Sequence, residues 1–377
     1  VLHAVNGVLV YGILWRIGGH LPSAMLGAMV FVVHPLHVES VAWIAERKDV
    51  LSGLFYLLGL LVYLKWMDER DWPRYLGVVL LCALAVMAKP MAVTFPLVLM
   101  LFDLILARRG LLRTILEKVP LFVICLGAGI ATLLAQGDGG AVSGLDVHSL
   151  ELRLSNTVIG YTTYLRQFLV PTELAAFYPL NDHPGLGRVT TSTVLVLLML
   201  GAAFFGRNRF KLLSLGIAFF MVSLLPVIGL MQVGMQAHAD RYMYLPSLGL
   251  LISFLEVPRV LGRDRRRLLG GIALIWAGLL AVLCFWQIAY WENRAVLFNR
   301  VLSVNGPVYV AHVQMAEHYK EQASYDRATF HALKALEMEP ERVAAQIAMG
   351  DIALHIGDLA SAEKWYMQAV SMSQENP

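Results

Sequence analysis

Charge is scarce in this chain. Asp, Glu, Lys and Arg together make up 15% of its 377 residues, whereas soluble domains carry about 25%. A water-soluble enzyme of this size is excluded on that ground, and the high apolar content excludes a disordered or collagen-like chain as well. Cysteine is scarcer still: Cys82, Cys125 and Cys284 each lie inside an apolar run, with no spacing suited to a metal or a redox pair, and read as packing residues. A concentrated excess of positive charge is also missing. The net charge of +3 is spread over short basic loops, so no nucleic-acid partner is expected. Finally, the chain opens at Val1 on an apolar run without the charged flank and cleavage site of a signal peptide, and reads as a fragment whose beginning is missing.

What is present is hydrophobic sequence, 58% of the whole. Apolar runs fall near residues 1–16, 23–34, 50–67, 75–88, 91–107, 119–135, 191–206, 211–232, 243–258 and 268–290. They predict an all-α, polytopic transmembrane bundle of about ten spans, each matched to a hydrocarbon core of about 30 Å. Tyr75 to Ala107 would be roughly 50 Å long as one helix and has basic loops at both ends, which predicts two short spans with Lys89-Pro90 at the apex.

Arg70/Arg74, Arg108/Arg109/Arg113, Arg207/Arg209/Lys211 and Arg263/Arg265/Arg266/Arg267 all face the cytoplasm only if residues 155–171 do not cross. An interfacial helix is expected there, with a stripe of Leu154, Val158, Tyr161, Leu165 and Phe168 opposite Asn156, Gly160, Thr163 and Gln167. This parity puts residues 34–49, the Lys89 apex, the 136–190 loop, residues 236–241 and everything after Trp291 on the extracytoplasmic side.

The last stretch is charged and repetitive. A shift of 34 residues superposes Met315 on Met349, Ala316 on Gly350, Ala328 on Ala362 and Ala335 on Ala369, with Pro340 at a repeat end, as in tetratricopeptide (TPR) repeats. The expected organisation is a membrane domain over residues 1–290 and about two repeats, cut short, over residues 291–377.

Three segments carry candidate chemistry. In His34-Pro-Leu-His37-Val-Glu39-Ser-Val-Ala-Trp43-Ile-Ala-Glu46-Arg47-Lys48-Asp49, a short helix would set Glu39, Trp43, Glu46 and Arg47 on one exposed face, able to bind a sugar or head group; the competing reading is a surface helix with Trp43 as an interfacial anchor. His34, His37 and Glu39 are possible metal ligands by type, but His-x-x-His alone is too common to assign a site, and no metal or other cofactor is expected. Lys89 needs a partner near hydrocarbon: a phosphate, a carboxylate from a facing loop, or interfacial water. In His238-Ala-Asp240-Arg241-Tyr242-Met-Tyr244-Leu-Pro246-Ser-Leu-Gly249, Arg241 can hold a phosphate through paired hydrogen bonds; the competing reading is an Asp240–Arg241 surface pair beside a tyrosine belt. The 136–190 loop, with Asp138, Asp146, His148, Glu151, Tyr178, Asn181, Asp182, His183 and Arg188, is expected to face substrate. Asp103 near Arg108, and Glu256 near Arg259, read as helix-end ions at the cytoplasmic surface.

The ordered segments HPLHVESVAWIAERKDVLS, AKPMAVTFPLVLMLFD and ADRYMYLPSLG, followed by WENRAVLFNRVLSVN and the repeats, resemble the transmembrane and tetratricopeptide-repeat-containing family of O-mannosyltransferases and its bacterial relatives, which share the GT-C fold. The family's His-Pro-x-His-x-Glu stretch falls on His34 to Glu39, its (Glu/Asp)-Arg-x-x-Tyr-Leu-Pro-Ser stretch on Asp240 to Ser247, and its hairpin lysine on Lys89. Pro90 replaces the acidic residue usual in animal members, which favours a bacterial branch and an inner-membrane location with periplasmic repeats.

The resemblance implies transfer of mannose or another hexose from a polyprenyl-phosphate donor to a protein hydroxyl on the extracytoplasmic side, with the repeats holding the acceptor protein or peptide. Lys89 and Arg241 are then the donor-phosphate ligands. His34, His37, Glu39, Trp43, Glu46, Arg47, Asp240 and Tyr244 are candidates for sugar or acceptor contacts. The family's catalytic acidic residue is expected before Val1. The alternative is a non-catalytic membrane scaffold whose repeats recruit partners.

Overall fold

A computed structural model describes residues 1–138, 149–230, 234–261 and 263–375. Asp146 and His148 of the 136–190 loop lie outside the described residues. The helices run in the order α1 (Leu2–Gly18), α2 (Leu21–Val33), α3 (Val38–Ala42), α4 (Arg47–Asp68), α5 (Trp72–Ala88), α6 (Phe95–Leu101), α7 (Leu111–Asp138), α8 (Leu150–Leu169), α9 (Leu186–Gly206), α10 (Lys211–Leu224), α11 (Pro246–Phe254), α12 (Val257–Val260) and α13 (Arg263–Ala289), then α14 (Arg294–Asn305), α15 (Tyr309–Glu321), α16 (Tyr325–Met338), α17 (Val343–Ile356) and α18 (Leu359–Glu375). They fall into two units, one of Val1–Leu174 with Leu180–Gln287 and one of Ala175–Pro179 with Ile288–Pro377. The division comes three residues before the boundary read from composition, and the short segment 175–179 joins the second unit because Ala175 and Tyr178 are buried with Val301, Val308 and Ala311.

Each of the ten apolar runs contributes a helix, and together they make an integral membrane protein. Four helical stretches, Ile44–Asp68, Leu111–Ala135, Leu186–Gly206 and Arg265–Ala289, are long and apolar enough to cross a membrane; Leu21–Val33 and Pro35–Ala42, bent by 49°, give a fifth if taken as one span. Trp72–Ala88, Pro90–Leu106 and Lys211–Leu224 are apolar but shorter. By length and composition the described residues therefore supply fewer full spans than the ten expected, because several of the runs form helices of 17 residues or fewer, ended by proline or glycine in three cases. Pro35 ends α2, Pro90 follows the end of α5, and Gly19 closes α1 in the left-handed region at φ +67°.

Two close approaches set the bundle's geometry. Gly216 on α10 and Gly249 on α11 bring the two backbones together: a Cβ on Gly216 would sit 2.2 Å from the Gly249 carbonyl oxygen, and one on Gly249 would sit 2.6 Å from that of Gly216. At Gly53 on α4, a Cβ would meet the Tyr244 ring at 2.7 Å. The segment from Asp240 to Tyr244 is thereby held against the start of α4.

Three expectations are corrected by packing. Helix α8 does occupy the stretch expected to lie in the interface, but its polar edge is turned inward: Gly160, Thr163 and Gln167 are buried, while Leu154 is exposed. A Cβ at Gly160 would lie 3.1 Å from Ile228, so the missing side chain is what admits the neighbour. Asp103 is fully buried and pairs with Lys118 and Arg109 rather than reaching the surface beside Arg108. Glu256 is also buried, and its carboxylate accepts the Leu212 N–H at 2.7 Å, satisfying a free donor at the start of α10; Arg259 instead donates to the carbonyls of Ile17 and Gly18.

In the second unit the 34-residue period becomes a pair of helix hairpins: α15 and α17 begin at Tyr309 and Val343, α16 and α18 at Tyr325 and Leu359. Ala316, Ala328, Ala332 and Ala335 are fully buried, and at Gly350 a Cβ would meet the Tyr366 ring at 2.7 Å, so small residues sit where the helices touch.

Candidate functional site

The site begins where α2 stops. With Pro35 blocking continuation, His34 leaves the helix in an extended conformation and its Nδ1 accepts the Leu36 N–H at 3.2 Å. Its Nε2–H therefore donates to the Phe168 carbonyl at 2.9 Å, and the ring stacks on Phe168 at 4.8 Å. His37 is used in the same way, with Nδ1–H donating to the Phe31 carbonyl at 2.7 Å and Nε2 lying 3.1 Å from the Ser247 hydroxyl. Each histidine, 1% exposed, is a neutral clip that ties the α2–α3 turn to other helices, not a free ligand. Tyr244 is likewise enclosed: its hydroxyl receives the Asn6 amide at 2.8 Å and meets His3 Nδ1 at 2.9 Å.

Beyond the turn the chain does not form the single helix expected over residues 38–47. Helix α3 ends at Ala42, Trp43 is extended at ψ 112°, a 3-10 turn spans Ile44–Glu46, and only then does α4 start. The break changes which side chains share a face. Trp43, 41% exposed, and Arg47 point outward, whereas Glu39 and Glu46 are buried, 2% and 6% exposed. The exposed carboxylate face is corrected accordingly: a carboxylate so near hydrocarbon is stabilised only beside a cation, and the backbone bends to bring it there.

The cations are Arg241 and Lys89. Glu39 accepts the Arg241 backbone N–H at 2.8 Å and forms an ion pair with its guanidinium. The Glu46 carboxylate bridges the two cations, 3.5 Å from Arg241 Nε and 3.3 Å from Lys89 Nζ. Asp49, in the first turn of α4, pairs with Lys89 and accepts the Ser40 hydroxyl at 3.0 Å. Lys89 is aimed here by its place at the end of α5, where an extended backbone precedes Pro90. Above the network lie aromatic rings: the Arg241 guanidinium is 5.5 Å from the Trp43 ring centre and 5.0 Å from that of Tyr242, and Lys89 is 5.7 Å from Tyr242.

Five charged groups from four separate stretches thus alternate in sign, Glu39–Arg241–Glu46–Lys89–Asp49, and Lys48 adds a third cation 3.5 Å from Glu46. Arg241 and Lys89 are 11% and 13% exposed through their side chains, so the cations reach the surface while their carboxylates do not. Glu39 holds the Arg241 guanidinium protonated against the opposing effect of burial. Arg241 does not form a surface pair with Asp240, which is itself buried. Ser40, Lys48, Asp49 and Tyr242 stand inside the candidate segments, but sequence reasoning gave none of them a site role. The signal for Asp49 was available: it lies three residues after Glu46, on the same side of a helix that starts opposite a lysine in need of a partner.

Among the described residues of the 136–190 stretch, none joins this network. Arg188 donates to Thr163 at 3.4 Å, Glu151, Asn181, Asp182 and His183 are exposed, and Tyr178 lies in the second unit. His238, which opens the third candidate segment, is enclosed near Tyr164, and burial with Arg188 and Arg166 nearby pushes it down to about 3, keeping the ring neutral. Among the described residues no group of three His, Cys, Asp or Glu side chains is spaced to hold a metal ion.

No family model and no solved structure matches the chain. Curated relatives do. The chain is 24% identical over 333 residues to protein O-mannosyl-transferase TMTC4 of Homo sapiens, covering 75% of this chain and 44% of that protein. It is 22% identical over 416 residues to protein O-mannosyl-transferase TMTC3 of Mus musculus, covering 99% and 45%. It is 30% identical over 141 residues to protein O-mannosyl-transferase Tmtc2 of Drosophila melanogaster, covering 36% and 15%. The chain spans less than half the length of these relatives. The similarities support the family resemblance carried by the three motif segments.

Proposed function

We propose, from the similarity to protein O-mannosyl-transferases, that this chain is part of a membrane glycosyltransferase that moves mannose or another hexose from a polyprenyl-phosphate donor to a hydroxyl group of a protein. The observation that carries the reading is the Glu39–Arg241–Glu46–Lys89–Asp49 network, in which two surface-reaching cations are held in place by buried carboxylates. Breaking a glycosyl–phosphate bond leaves negative charge on the departing phosphate, and preorganised cations stabilise it without reorganising as the charge develops. Arg241 supplies a planar fork suited to two phosphate oxygens and Lys89 a compact point charge. Trp43 and Tyr242 provide apolar faces beside them for the sugar ring.

The acceptor hydroxyl must lose a proton to a base as the new glycosidic bond forms. The network is placed on the extracytoplasmic side, since the opposite end of α4 adjoins the Arg70, Arg109 and Arg113 loops that face the cytoplasm under the loop-charge rule. The tandem helix hairpins after α13 are taken as tetratricopeptide repeats that hold the acceptor protein. An inner-membrane location with periplasmic repeats completes the proposal.

A second reading is favoured by the internal pairing of the network: three carboxylates against Arg241, Lys89 and Lys48 make a neutral set that a non-catalytic scaffold would also need for folding. One experiment separates them. Arg241→Ala, expressed in membranes with a polyprenyl-phosphate hexose and an acceptor peptide, is expected to insert normally and to abolish transfer. Wild-type transfer by the variant would sink the assignment of Arg241, and absence of transfer by the intact protein would favour the scaffold.

A further inference from the structure

About 25 Å further along α4 from Asp49 lies a second buried ionic cluster that the proposed chemistry does not use. Lys118 and Asp103 form its enclosed pair. Glu117 is shared by Arg70 at 2.9 Å, Arg113 at 3.1 Å, Arg109 at 3.5 Å and Lys118 at 3.6 Å, and Arg109 also lies 3.4 Å from Asp103. Four cations therefore share two carboxylates, a surplus of two positive charges. Nearby, Glu69 and Asp71 share Arg74, and Asp68 pairs with Arg16, so these acids offset only one of the two surplus charges. One guanidinium nitrogen, Arg70 Nη2, is buried without a hydrogen-bond partner while the rest of the group stacks 3.8 Å above the Trp66 ring.

Beside this surplus α7 offers a way for a lipid to lie. Leu112, Leu116, Val119 and Val123 recur at helical spacing and are 45% to 71% exposed, forming an apolar stripe that starts next to Arg113 and runs along a membrane-spanning helix. Trp72, 70% exposed at the start of α5 and 5.8 Å from Tyr75, is the kind of aromatic residue that sits at head-group level. Surplus positive charge at the interface, an unpartnered guanidinium donor and an adjacent apolar stripe together match one ligand class, an anionic phospholipid.

We propose that Arg70, Arg109 and Arg113 form a binding site for the phosphate of an anionic phospholipid whose acyl chains lie along the Leu112–Val123 face of α7. The site ties α4, α5 and α7 together at the end of the bundle away from the Glu39–Arg241 network.

Native mass spectrometry of the whole chain in detergent, mixed with equal amounts of phosphatidylglycerol and phosphatidylcholine, tests this. Phosphatidylglycerol is expected to be retained preferentially. Arg113→Gln, at a side chain 73% exposed and therefore safe for folding, should weaken its retention about fivefold, the effect of one charge near an anionic lipid. Arg70→Gln should do at least as much; if it fails to fold, Arg113→Gln decides alone. Equal retention of the two lipids, or no loss in Arg113→Gln, would overturn the proposal. Displacement of phosphatidylglycerol by an equal concentration of inorganic phosphate would overturn it too, identifying a free-phosphate site instead.

Discussion

Replacing Arg241 by Gln separates the structural role of the first network from its chemical one. Glu39 is 2% exposed and has two recorded donors, the Arg241 backbone N–H at 2.8 Å and the guanidinium. Without the guanidinium, a buried carboxylate keeps only the backbone donor, and losing one partner of a buried pair costs about 3–5 kcal/mol. The converse change, Glu39→Gln, is milder because Arg241 still lies 3.5 Å from Glu46 and reaches the surface; a lost charged hydrogen bond there costs about 1–3 kcal/mol. In the double variant no charge is stranded at position 39, and Glu46 keeps Lys89 at 3.3 Å. Its destabilisation should therefore fall short of the sum of the singles by about 0.5–3 kcal/mol.

A two-unit membrane chain does not unfold in two states, so the assay is the rate at which folded, monodisperse protein is lost on heating in detergent, with Arg241→Gln about tenfold or more faster than wild type. Sugar transfer is measured on the same samples. The expected pattern is recovered stability without recovered transfer in Glu39→Gln/Arg241→Gln. Strict additivity of the two stability losses would refute the pairing argument, and recovery of transfer would show that Arg241 acts only as a fold element.

Other consequences follow from the same contacts. Lys89→Met should destabilise by about 3–5 kcal/mol by stranding Asp49, and adding Asp49→Asn should recover a measurable part of the loss; rates of loss of folded protein on heating in detergent check both, and no recovery would mean the lysine serves Glu46 rather than Asp49. Gly249→Ala places a methyl group 2.6 Å from the Gly216 carbonyl oxygen, so α10 and α11 must separate at a cost of about 1–3 kcal/mol; unchanged stability would show that the two helices slide freely. In the repeats, His312 and His331 meet Nδ1 to Nδ1 at 2.9 Å, which requires one nitrogen to be bare, and burial lowers the proton affinity of both. Because the folded values lie below the unfolded 6.5, their contribution to stability is full above that pH and is lost as pH falls through the lowered values. Hydrogen exchange of α15 and α16 in the whole chain, corrected for intrinsic rate, should show loosening on acidification that His331→Gln diminishes.

The limits of sequence reasoning are visible in single residues. Lys89 was marked because an ammonium beside hydrocarbon demands a partner, and a carboxylate from a facing segment was among the options. Which carboxylate it would be was illegible, since Glu46 and Asp49 lie 40 or more positions away and reach Lys89 only through the packing of α4 on α5. Glu39 and Glu46 were legible as a pair, but the extended backbone at Trp43 that turns both inward has no cue in residue type. Gly160, Thr163 and Gln167 on α8 misled for a related reason: polarity suggested a watery face, whereas small and hydrogen-bonding residues also suit tight contact between helices within a membrane.

What the sequence determined by itself is the part of the problem governed by local composition and period. Apolar length placed the helices, proline and glycine placed several of their ends, and the 34-residue spacing of small residues anticipated the paired helices after α13. Those features depend on neighbours within a turn or two of the chain. The tertiary structure alone decided which partner each charge meets: Arg241 with Glu39 across 202 positions, Lys118 rather than Arg108 with Asp103, and Glu256 with the backbone at the start of α10. The reason is that in a low-dielectric interior an ion must find its counter-ion wherever the fold brings one, and distance along the chain sets no limit on that choice.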